Sequence, residues 1–132
     1  MSPVKHPVSG AALSFSLEDE MGIVRETLGA GGERTARTLV KEGPLRAMLV
    51  GLNAGGTLKP HRADGPITVH VLEGAIEFEA EGRRWPLATG SLFALDNRIT
   101  HSVTSAGGAI FLLTVAVAQT RSQTLAPDAA AE

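Results

Sequence analysis

Apolar residues change their spacing once along this chain, from a helical period to a strand-like one. Leu17, Met21, Val24 and Leu28 fall at i, i+4, i+7 and i+11, which is one face of a helix. Ser16 precedes them as an N-cap with Asp19 three residues on, the arrangement of a capping box. Gly29-Ala30-Gly31-Gly32 ends the run. A phosphate-binding loop would follow a strand and open a helix, so these glycines read as a helix C-cap and turn.

From Arg34 onward the pattern predicts strands over Arg34 to Val40, Leu45 to Leu52, Ile67 to Leu72 and Ala75 to Ala80. Four more follow, over Arg84 to Leu87, Ser91 to Leu95, His101 to Thr104 and Ala109 to Ala118. Turn residues part them: Glu42-Gly43-Pro44, Asn53-Ala54-Gly55-Gly56, Gly82, Gly90 and Ala106-Gly107-Gly108, with Glu73-Gly74 as a tight turn. Ile76, Phe78 and Ala80 alternate with Glu77, Glu79 and Glu81, so one face is buried and the other solvated. Eight short strands at this spacing predict an all-β sandwich or barrel behind a short N-terminal helix. The chain divides into a flexible arm (1–12), the helix and turn (13–32), the β-domain (33–118) and a flexible tail (119–132).

Composition narrows the function. A chain of 132 residues fits one domain with one core. Lys and Arg number 12 against 14 Asp and Glu, a net charge of −2, so no electrostatic footprint for nucleic acid or an anionic membrane exists. Arg83 and Arg84 beside Trp85 read as ordinary hairpin surface. No cysteine is present, which excludes disulfides, thiolate nucleophiles, Cys-type zinc sites and iron–sulfur clusters. The first ten residues hold no apolar secretory core. The apolar stretch Ala109 to Ala118 is half the ~20 residues a membrane helix needs, so it reads as a buried strand. The expectation is a soluble cytoplasmic protein.

Two glycine-anchored segments carry the chemistry. Gly55 is followed by five residues and His61, and Gly74 comes thirteen residues after His61, preceded by Val71-Leu72-Glu73. Gly90 is followed by five residues and then Asp96-Asn97-Arg98-Ile99-Thr100-His101. This resembles the small single-domain cupins, whose motifs are G-x5-H-x-H-x3,4-E-x6-G and G-x5-P-x-G-x2-H-x3-N. Gly55, His61, Gly74, Gly90 and His101 hold register, with fifteen residues between the motifs. The resemblance spans about Arg34 to Ala118 and implies a jelly-roll barrel, the cupin-type double-stranded β-helix.

The resemblance also implies a metal cage of three His and one Glu on the inner barrel wall, and here half of that set is replaced. His61 and His101 stand at the first and last histidines. Ala63 occupies the second histidine position and Ile67 the glutamate position, and neither donates a lone pair. Asp96, Arg98 and Ser105 replace the second motif's proline, glycine and asparagine. If Ile67 faces the lumen, strand alternation aims Thr68, His70 and Leu72 outward, and only a β-bulge between 67 and 70 would turn His70 in. Asp64 and Asp96 sit in loops at the barrel mouth.

Two histidines alone hold a divalent ion weakly, because catalytic zinc and iron sites usually keep three protein ligands. No resident cofactor is therefore expected, with weakly held Zn, Ni, Fe or Mn as the alternative. No G-x-S-x-G elbow is present, and the Glu77, Glu79 and Glu81 stripe reads as solvated surface. The first expectation is a small-molecule binder with a pocket lined by His61, His101, Ile67 and Ala63. The second is a metal-dependent cupin enzyme of isomerase, decarboxylase or dioxygenase type with an atypical ligand set. Small cupins commonly pair, and the apolar face within Leu17 to Val40 needs cover, so a homodimer is expected.

Overall fold

Ser16 caps a helix, α1 (Leu17–Gly29), where its Oγ accepts a hydrogen bond from the Asp19 backbone N–H at 3.2 Å. The computed structural model of the chain describes residues 5–117; the tail expected over 119–132 lies outside the described residues. Glu18, Asp19 and Glu20 lie in the first turn, where carboxylates complement the helix dipole. At the other end the Asn53 side-chain amide donates to the carbonyls of Leu28 (3.0 Å) and Gly32 (2.8 Å), closing the expected C-cap and turn.

Eight strands follow: β1 (Arg34–Glu42), β2 (Leu45–Leu52), β3 (Gly56–His61), β4 (Ile67–Ala80), β5 (Arg83–Ala88), β6 (Leu92–Leu95), β7 (His101–Ser105) and β8 (Ala109–Ala116). All pairings are antiparallel. The first half of β4 pairs with β6 and β8, and β2 and β1 continue from β8 to the edge. The second half pairs with β5 and β7, and β7 with β3. Strand β4 therefore belongs to both walls, and the sheet curls into the expected jelly-roll barrel.

That continuity corrects the expected tight turn at Glu73-Gly74. The segments 67–72 and 75–80 are one strand, with a bulge between Val71 and Glu73 and Gly74 at φ +77°. The extra residue reverses the alternation: Ile67, Val69 and Val71 are buried before it, and Ile76, Phe78 and Ala80 after it. Sequence reasoning also missed β3. Lys59 and Pro60 give it no apolar alternation, and it pairs only with β7 in the sheet, at an edge where a proline N–H is not needed. The count of eight survives because one strand was split and another omitted.

The core lies on both faces of the wall formed by β2 and β8. Val50, Leu52, Phe111 and Val115 point into the barrel with Val69, Val71, Phe78 and Val103. Leu49 and Ile110 point outward against Met21, Val24 and Leu28 of α1. Burial on both faces is why Ala109–Ala116 is almost continuously apolar. A Cβ on Gly51 of β2 would stand 2.5 Å from Val24 Cγ1 and 2.9 Å from Leu28 Cδ1, so this glycine sets how closely the helix approaches. The apolar helix face is thus covered within the chain, and the physical motive for a homodimer through Leu17 to Val40 does not hold.

Residues 5–12, expected as a loose arm, lie against β1. The Lys41 N–H donates to the Val8 carbonyl at 2.7 Å, and the Gly10 N–H donates to Glu42 Oε1 at 2.8 Å. Among the described residues no helix is long and apolar enough to cross a membrane.

Candidate functional site

His61 ends β3 and His101 begins β7, and the two are direct register partners across that strand pair. Their rings meet edge to face with centroids 4.4 Å apart. Each ring is fixed by the backbone two residues earlier: His61 Nδ1 lies 2.8 Å from the Lys59 carbonyl, and His101 Nδ1 lies 3.0 Å from the Ile99 carbonyl. A carbonyl only accepts, so Nδ1 carries the proton in each ring. That tautomer leaves the lone pair on Nε2, and no described residue engages either Nε2. Two neighbouring acceptors on one strand pair are suited to a hydrogen-bond donor or a soft cation.

The pair spans the boundary between water and core. His61 is exposed, whereas His101 is 5% exposed. Behind His101 an aromatic row crosses the barrel. Phe78 stacks on the imidazole at 5.1 Å with an interplanar angle of 17°, Phe93 lies 4.7 Å from Phe78, and Trp85 lies 5.0 Å from Phe93. Arg83 covers Trp85 with its guanidinium carbon 4.9 Å from the ring centroid. Sequence reasoning did not find this row. Its signal was the lumen-facing alternation around Phe78; the missing part was register, which sets Phe78 opposite Trp85 and Val103 and Ala80 opposite His101.

Ala63 is half-buried and Ile67 is 4% exposed, and both pack into the barrel's apolar cluster. Ile67 also opens onto a pocket of about 380 Å³ that it shares with Thr68, Leu95, Asp96 and Thr114 rather than with the two histidines. His70 is opposite Leu92, which is 70% exposed, so it faces the outside of the barrel; the bulge falls after it. Asp64 and Asp96 are exposed, and Asp96 Oδ1 is engaged by the Asn97 N–H at 2.6 Å. Among the described residues no three His, Asp or Glu side chains gather into a metal-holding group. The donor set of two imidazoles beside alanine and isoleucine does not fit the four-ligand cage that the fold's motifs imply.

Desolvation by burial lowers the His101 pKa below the usual histidine value; the hydrogen bond with the Ile99 carbonyl opposes this, and the nearby His61 adds to it. The unfolded chain then binds the extra proton more readily, so stability rises with pH over the histidine range. It is fully present above the unfolded value of about 6.5 and declines as pH falls from there toward the lowered folded value. His101→Gln is expected to flatten that decline. Urea midpoints across the histidine range check it, and parallel profiles for wild type and variant would refute it.

Residues 48–117 match the family model described as the cupin domain, more than half of the chain. The chain belongs to the cupin domain family. A search of curated proteins found no match. Among solved structures, a conserved protein of unknown function from Streptococcus pyogenes is 23% identical with a TM-score of 0.62, over 67% of this chain and 77% of that one. An RmlC-like cupin from Shewanella frigidimarina is 21% identical with a TM-score of 0.62, over 67% and 80%. A salicylate 1,2-dioxygenase variant from Pseudoaminobacter salicylatoxidans is 16% identical with a TM-score of 0.72, over 85% of this chain and 37% of that longer one. At these identities the likeness is one of fold.

Proposed function

We propose that this cupin binds a small molecule at the mouth of its barrel, with His61 and His101 as the polar contacts and without a complete catalytic metal site. The observation that carries the reading is the matched pair of Nδ1–carbonyl bonds, which presents two Nε2 acceptors beside an aromatic row. Such a site suits a ligand with hydroxyl or amine donors next to a flat or apolar body, the usual pairing of apolar wall and few polar groups. Ala63 and Ile67 belong to the apolar cluster of the barrel and supply no ligand atom. The reading includes a cytoplasmic location and a homodimer. Leu92 on the outer face of β6 is the most exposed large apolar side chain described.

The test is a thermal-shift screen of hydroxylated and aromatic small molecules against wild type, His61→Gln and His101→Gln. At least one compound is expected to raise the wild-type Tm by several degrees, as ligand in large excess over Kd does, and neither variant responds. Compounds that shift all three proteins equally would overturn the reading. The second reading, a metal-dependent enzyme of isomerase, decarboxylase or dioxygenase type, draws on the same two Nε2 lone pairs, which are also the donors a metal would take.

A further inference from the structure

A second cavity lies outside the barrel, between α1, β1 and the N-terminal arm. It measures about 500 Å³, within the range of small-molecule sites. Ile23 of α1, Thr35 and Arg37 of β1, and Lys5, His6 and Val8 of the arm contribute to its walls. The arm is fixed there by the Val8 and Gly10 hydrogen bonds to β1 and by the His6 ring, which meets Phe15 edge-on at 4.8 Å.

The charges on this wall are unequal. Glu20 is the carboxylate of the cluster, and it is taken by Arg37 Nε and lies 3.6 Å from His6 Nε2. These three side chains are only 13–17% exposed, so the carboxylate is held in place on the cavity's flank. Lys5 is exposed at the rim and makes no ion pair among the described residues. A ligand entering this cleft meets aliphatic and threonine surface at its body and a surplus positive charge at its opening.

We propose that the cleft between α1, β1 and the arm binds a small amphipathic anion, an organic acid with an aliphatic or aryl body. The acid group pairs with Lys5, and the body lies between Ile23, Val8 and Thr35. This site is separate from the His61–His101 pair and does not depend on it.

The experiment titrates the full chain with anilinonaphthalene sulfonate, an aryl body with one acid group, and follows its fluorescence; octanoate is the competitor. One saturable site per chain is expected, displaced by octanoate. Lys5→Glu should weaken binding about tenfold or more, the size of a lost ionic contact replaced by repulsion. Thr35→Trp should fill the cleft and abolish binding, whereas His61→Gln/His101→Gln should leave it unchanged. No saturable site, or equal affinity in wild type and Lys5→Glu, overturns the proposal. Loss of binding in the double histidine variant alone would place the probe in the barrel and overturn it too. Lys5 is exposed, so its variant remains a valid test if Thr35→Trp fails to fold.

Discussion

Gly74→Ala is expected to destabilise the barrel by about 3 kcal/mol or more, a large share of the 5–15 kcal/mol of a typical domain. Two costs combine. Gly74 sits at φ +77°, a region that costs an L-residue about 1–2 kcal/mol. In addition, a Cβ there would run into the Gly108 carbonyl oxygen, with Ala109 Cα at 3.0 Å. Backbone cannot step aside as a flexible side-chain end can, so the register between β4 and β8 must shift. Gly82→Ala is the control, because Gly82 has φ +72° but open space around its would-be Cβ. It should cost only the conformational part, about 1 kcal/mol. Urea unfolding of both variants measures the difference. Equal losses would show that the close approach to Gly108 contributes nothing.

The second large effect concerns metal. The unmodified protein, dialysed against a low-micromolar mixture of zinc, nickel, iron and manganese, is expected to retain well below one ion per chain. Ala63→His/Ile67→Glu restores the family's ligand pattern and should bring it near stoichiometry, because each added ligand closes the site further. Ile67 is 4% exposed in an apolar cluster, so a glutamate there without metal is a buried carboxylate and should destabilise the fold. Zinc should then recover stability, by about 4 kcal/mol at a thousandfold excess over Kd. Elemental analysis and melting with and without zinc are the measurements. Near-stoichiometric metal in the unmodified protein, lost in His61→Ala or His101→Ala, would reject the metal-free binder and favour the enzyme reading.

Local patterns in the sequence were enough to place what local forces determine. The Ser16 cap and the 17, 21, 24, 28 stripe define α1 and its buried face, since both act within a few turns of chain. The glycine and histidine spacing placed the barrel and the two imidazoles, and strand parity aimed His70 outward because alternation is a property of the strand itself. Tertiary structure decided the rest. Glu73-Gly74 carries the composition of a hairpin turn, yet only the partners offered by β8 and β7 make it a bulge inside one strand. The aromatic row from His61 to Trp85 joins residues from five strands, and its existence depends on register between segments far apart in sequence. The helix's apolar face asked for cover, but a sequence does not say whose. Leu39, Leu49 and Ile110 provide it from within the chain because β1, β2 and β8 are brought side by side beneath α1.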